Sequence, residues 1–125
     1  MGLITNPAAT AVIGCALRVH TKLGPGLLES VYADCLAKEL TKDRVPFSRQ
    51  VRFPINYDGE ALSRVFVADF VVDSTVLVEL NSVERILAVH RAQVVSYLGI
   101  TGLRKGLLIN FNVAHLRDGI RSFVR

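Results

Sequence analysis

No stretch of this 125-residue chain is long and apolar enough to span a bilayer, which takes roughly 18–20 residues. No dense cluster of Lys and Arg stands out either, although fifteen Lys+Arg against eleven Asp+Glu leave a net charge of +4. That balance suits a polyanionic partner without demanding one. Only two cysteines are present, Cys15 and Cys35, and neither has companions at metal-ligand spacing. Both fall among helical apolar positions and read as buried, reduced thiols. They lie equally far from Pro25, so a helical hairpin would bring them near each other, but a reducing compartment disfavours a disulfide. Internal repeats, low-complexity segments and linkers are missing as well, and a single domain over residues 1–125 is expected.

The N-terminus imitates a targeting signal in two ways. Val12, Ile13, Gly14 and Cys15 look like a lipoprotein cleavage box, yet no Lys or Arg precedes them, and Arg18, His20 and Lys22 follow at helical spacing. Met1 and Gly2 would begin a myristoylation signal if Asn6 were Ser or Thr. The expectation is a cytoplasmic protein with no membrane partner.

Half the residues are hydrophobic and the mean hydropathy is +0.37, apolar for a chain of this size. Either both faces of a sheet are covered, or self-association buries some of the surplus; the two are compatible. Asn6 and Pro7 make a good helix start, and Val12, Ala16, Val19 and Leu23 recur at helical spacing. Gly24, Pro25 and Gly26 stop that helix. A second follows with Leu28, Val31, Tyr32, Cys35, Leu36 and Leu40 on one stripe. From Phe47 the period becomes that of strands: 50–57 and 63–72 flank Asp58-Gly59, a hairpin signal, and Asp73-Ser74 turns into 76–80. Residues 88–98 read as a helix and 105–111 as a strand. The tail from His115 is ambiguous, because Leu116, Ile120 and Val124 fit a helix while Phe123 and Val124 fit a strand. The order α-α-β-β-β-α-β argues for a mixed sheet with helices on both faces.

Within that frame two acids interrupt strands that otherwise read as buried. Asp69 and Glu79 sit among Val, Leu and Phe, and a carboxylate removed from water is costly unless something positive meets it. Two on adjacent strands are a natural seat for a hard divalent cation. Glu79 and Asn81 share a strand face, and Asp69 joins them if the strands are neighbours in suitable register. His90, Gln93 and Tyr97 share one face of the third helix.

The ordered series resembles the PD-(D/E)XK nuclease superfamily, and within it the small bacterial group called GxxExxY proteins. Gly26, Glu29 and Tyr32 spell that signature, after His20, Leu23, Gly24 and Pro25. The similarity continues through Asp69, Glu79, Leu80, His90, Gln93, Tyr97 and the strand at 107–111. The resemblance implies a three-layer α/β/α restriction-endonuclease-like fold. It also implies a nuclease that hydrolyses phosphodiester bonds with Mg²⁺ or Mn²⁺. Asp69 and Glu79 would hold the metal with the Leu80 carbonyl, Glu29 would be the acid from the preceding helix, and Gln93 and Tyr97 would orient substrate or active-site groups. Nucleic acid is the implied partner, with DNA expected in preference to RNA.

One departure matters: the pattern asks for Lys two residues after Glu79, and Asn81 stands there. Asn can hydrogen-bond but carries no charge, and losing one such contact costs on the order of 10²–10³ in rate. Arg85, Arg91 and Lys105 are candidate substitutes. The alternative is a catalytically impaired module that binds nucleic acid, a nucleotide or a protein on the same scaffold. Bland readings stand beside the functional ones. Tyr32 fits a core stripe, Glu29 suits a helix dipole, and His20 and His90 fit satisfied histidines beside the sheet, against supporting roles at the site. Gln93 on an apolar helix needs a partner for its amide. Arg117 and Arg121 fit a solvated face.

Overall fold

The computed structural model describes residues 6–125. Helix α1 (Pro7–Leu23) starts where the Asn6 carboxamide accepts the Ala9 amide at 3.1 Å, with Pro7 in the first turn. It ends at Gly24, whose φ of 69° suits a residue without Cβ. Helix α2 (Glu29–Lys42) leads into strand β1 (Phe47–Tyr57). Asp58 and Gly59, both at positive φ, turn β1 into strand β2 (Glu60–Val72). Asp73 and Ser74, again both at positive φ, turn β2 into strand β3 (Val76–Asn81), closed by the Thr75 amide on the Val72 carbonyl at 3.0 Å. Helix α3 (Ala88–Thr101) stops at Gly102 in the left-handed region, and strand β4 (Lys105–Asn110) follows. The ambiguous tail resolves into a 3₁₀ turn at Leu116–Gly119 and a strand β5 (Ile120–Val124). Pairing with β4 decides for the strand, since β5 occupies an edge that would otherwise stay open.

The five strands lie in sequence order, β1-β2-β3-β4-β5. Only β3 and β4 are parallel, joined through α3; the other neighbours are antiparallel. Helices α1 and α2 cover one face, over Phe70, Val72, Val78, Leu80, Leu107 and Ile109. Helix α3 covers the other through Leu98, against Phe66, Ala68 and Leu77. This is the expected α/β fold of three layers around a mixed sheet. Among the described residues no helix is long and apolar enough to cross a membrane.

The helical stripes differ in detail from the apolar periodicity. Leu28, placed on the α2 stripe, is 74% exposed, and Glu39 is buried instead. Glu39 is tolerable there because Arg18 Nε meets it at 2.7 Å and Lys42 Nζ at 3.1 Å. Arg18 also binds Asp43 at 2.7 Å and donates to the Cys15 sulfur at 3.3 Å, so one guanidinium ties α1 to both ends of this cluster.

Candidate active site

Strands β2 and β3 pair from Val72↔Val76 to Phe70↔Val78, and there the ladder stops. Continued by one residue, the register sets Asp69 opposite Glu79. Instead of main-chain acceptors, carboxylates take the next two amides. The Asp69 N–H donates to Glu79 Oε2 at 2.8 Å, and the Leu80 N–H donates to Asp69 Oδ2 at 2.9 Å. Each carboxylate thus satisfies a backbone donor. Beside this point lies a cleft of about 270 Å³ lined by Glu29, Arg49, Gln50, Asp69 and Leu80, among others.

The neighbouring strand bends at the same level. Arg49↔Phe70 and Val51↔Ala68 place Gln50 opposite Asp69, and Gln50 has φ 51° inside a strand. A non-glycine residue held there costs of order 1–3 kcal/mol. On either side of this point the inward faces exchange. Phe47 and Phe70 pack toward α1 and α2, whereas Val51, Phe53, Phe66 and Ala68 pack toward α3. Strict alternation along β2 would have kept Phe66 and Phe70 on one face. The twist at Gln50 and Asp69 therefore turns the inward side chains of both strands from one helical layer toward the other and leaves the polar residues at the crossing.

Glu29 reaches the cleft from the first turn of α2, and the segment before it explains the Gly-x-x-Glu-x-x-Tyr spacing. Gly26 has φ 97°, a conformation side chains resist. Tyr32 is fully buried, stacked on Phe111 with centroids 4.4 Å apart. Its hydroxyl donates to the Gly24 carbonyl at 2.6 Å and accepts the Leu27 amide at 3.1 Å. Ser82, just past β3, donates to the Leu27 carbonyl at 2.8 Å. The glycine makes the turn, the tyrosine pins it, and the glutamate is delivered.

Burial raises the proton affinity of all three acids, and the Asp69 charge adds to that of Glu79 and Glu29. Burial, then the Asp69 charge, push the Glu79 carboxyl up to about 8, with Glu29 adding in the same sense. Burial raises Asp69 too, against the Leu80 amide, the Gln50 side chain and the Arg49 charge, which pull it down. Glu29 is raised by burial and then by Asp69. Tyr97 is raised by burial and by the charges of Glu79 and Asp69, which sets its phenol beside the acids. Among the described residues no three His, Cys, Asp or Glu side chains stand close enough to hold a metal ion by themselves. A closed protein cage is thus a poor fit. A hard divalent cation that takes one or two carboxylates and completes its shell with water and phosphate oxygens fits this donor set.

The remaining residues of the sequence reading are scattered. Asn81 shares the Glu79 face of β3 and is half-buried, with its main-chain carbonyl accepting from Phe111 at 3.1 Å. Gln93 is exposed on α3, so solvent satisfies its amide and no buried partner is required. His90 caps α3, its Nδ1 accepting the Leu87 amide at 2.8 Å. His20 lies in a different cleft, with Gly24, His115 and Arg117, and its Nε2 bonds the Val113 carbonyl at 2.8 Å. Of the proposed substitute cations, Lys105 is at the wrong end of the sheet. It pairs with Val76 while Asn81 pairs with Asn110, five residues or about 17 Å along the strand, and its amine is hydrogen-bonded to Ser122. Arg85 and Arg91 are exposed.

Arg49, Gln50, Ser82 and Asn110 escaped the sequence reading. Asn110 is buried and clamps the segment after β3, accepting the Val83 amide at 3.0 Å and donating to its carbonyl at 2.9 Å. A polar residue closing an apolar strand was its only signal. A family model described as the PD-(D/E)XK nuclease superfamily matches residues 6–123. No curated protein and no solved structure matches the chain.

Proposed function

From the premise that this chain belongs to the PD-(D/E)XK nuclease superfamily, we propose that it is a divalent-metal-dependent nuclease of the GxxExxY type, acting where β2 and β3 part. The observation that carries this reading is the reciprocal pair of bonds between the Asp69 and Glu79 carboxylates and the Leu80 and Asp69 amides. Buried carboxylates are costly, and these are held in place by the backbone.

Asp69 and Glu79, with the Leu80 carbonyl, would hold Mg²⁺ or Mn²⁺, and Glu29 would bind it through water. When bound, the ion supplies Lewis-acid polarisation of the phosphate and a more acidic attacking water. The side chains do the rest. Tyr97, stacked on Phe66 at 4.1 Å, walls the acids from the α3 side, and Gln93, one turn before it, is available to a nucleotide at the mouth. Asn81 offers a hydrogen bond to water or phosphate but no charge. DNA is the preferred substrate in this reading, and the cytoplasm the location. Self-association through exposed apolar residues such as Leu28, Val89 and Val95 belongs to it too.

Neutral Asn81 favours a second reading, a binding module on the same scaffold that cleaves poorly. Cleavage of labelled single- and double-stranded DNA with Mn²⁺ or Mg²⁺ separates the two. Activity in the wild type that disappears in Asp69→Ala supports the nuclease. Activity only in Asn81→Lys means a scaffold silenced at one position, and silence in all three supports the binding module.

A further inference from the structure

The cleft has one cation in its wall, and it comes from β1. Arg49 lines the acidic cleft with Asp69 and also lines a second groove of about 560 Å³, between α2 and β1, with Asp34, Lys38 and Lys42. It is the residue the two share. Its guanidinium lies 5.3 Å above the Phe70 ring, which fixes its plane. The same group pairs with Asp34 at 3.0 Å, and the Asp34 side chain is 67% exposed. Exposed pairs of this kind contribute little, so a phosphate can displace Asp34 at little cost. A guanidinium suits that exchange, because its planar fork matches two phosphate oxygens as well as it matches a carboxylate.

We propose that Arg49 contacts the substrate phosphate beside Asp69, and that a single nucleic-acid strand runs from there along the α2–β1 groove past Lys38 and Lys42. The inference deepens the nuclease reading and rests on it for the identity of the site. Charge decides the occupant: two lysines and one arginine against Asp34 make the groove net positive, and it continues directly into the acidic cleft. Lys42 also meets Glu39 at 3.1 Å, so part of its charge is already engaged. Lys38 is exposed and makes no ion pair among the described residues.

The test is fluorescence anisotropy of a labelled single-stranded oligonucleotide with Ca²⁺ in place of the catalytic ion, followed over a range of salt. Arg49→Ala should weaken binding at least about 10-fold. Lys38→Ala with Lys42→Ala should flatten the salt dependence by about 1.4 in log–log slope, near 0.7 per lost phosphate contact. Asp34→Asn breaks the ion pair yet frees the guanidinium, so it should bind at least as tightly as wild type. If Arg49 serves only to hold α2 against β1, Asp34→Asn will weaken binding like Arg49→Ala, and the inference falls. It falls equally if Arg49→Ala binds like the wild type, or if the wild type does not bind at all. Binding that depends on Arg49 in a protein that never cleaves would sustain this inference and sink the nuclease reading alone.

Discussion

The main-chain amide of Asp69 donates to the Glu79 carboxylate at 2.8 Å, where the next hydrogen bond between β2 and β3 would otherwise form. The same step along the sheet puts the Asp69 carboxylate on the Leu80 amide at 2.9 Å. The two carboxylates therefore take over from the ladder at the level where Asp69 enters the cleft.

The proton affinity of Glu79 has a measurable consequence. Its carboxyl is pushed up to about 8, first by burial and then by Asp69. The unfolded value is about 4.3. Below that value both states hold the proton and the group has no effect. Between the two values the unfolded chain releases the proton and the folded one keeps it, so stability falls as pH rises, levelling above about 8. Asp69 and Glu29 shift in the same direction and add to the slope. Urea denaturation in EDTA across this range should show it, and Glu79→Gln should flatten it. Parallel profiles for the two proteins would refute the assignment.

Tyr32 is expected to matter for activity through Glu29. Tyr32→Phe keeps the stack on Phe111 and removes the hydroxyl that serves Gly24 and Leu27. Leaving a buried partner unmet costs about 1–3 kcal/mol, readable as a lower urea midpoint. Cleavage should fall further than the fraction unfolded accounts for, because the released turn carries Glu29. Activity that tracks only the folded fraction would assign Tyr32 to the core alone.

The Arg18 cluster should govern acid stability. Arg18, then Lys42, hold the Glu39 carboxyl down to about 2. A depressed carboxylate stabilises the fold above its unfolded value and loses that contribution as pH falls toward the folded one. Glu39→Gln should therefore lower the melting temperature at neutral pH, and the gap to wild type should narrow as pH approaches 2. A gap independent of pH would contradict this.

Gly119 is expected to be intolerant of any side chain. A Cβ there would lie 2.1 Å from the Asn110 carbonyl oxygen, a main-chain atom that cannot swing aside. Gly119→Ala should cost at least the 1–3 kcal/mol typical of overpacking. Because Asn110 clamps Val83, hydrogen exchange should also rise in the segment between β3 and α3. Wild-type exchange there would separate the two.

Local chemistry made most of the fold readable. Asn6-Pro7 and Gly24 bound α1, Asp58-Gly59 and Asp73-Ser74 turn the strands, and period-2 patterning set β2 and β3. The tail was unreadable because β5 owes its state to β4, a partner that local pattern does not reveal. Asp69 and Glu79 stood out because acids are rare in apolar strands, and their carboxylates meet across β2 and β3; Glu29, an ordinary acid for a first helical turn, stood out only through the Gly-x-x-Glu-x-x-Tyr spacing. Arg49 and Gln50 lay in an exposed, polar stretch of β1 where charged residues are ordinary. What distinguishes them is the exchange of inward faces along β1 and β2, and alternation alone predicts no exchange. Glu39 was hidden for the opposite reason, since its burial depends on Arg18 from another helix.

Calorimetric titration of the metal-free protein with Mn²⁺ tests the central claim most directly. One site is predicted in the wild type, weakened at least about 10-fold by either Asp69→Asn or Glu79→Gln, on the scale that even outlying partners of a metal site produce. Undiminished binding in both variants, or none in the wild type, would contradict it.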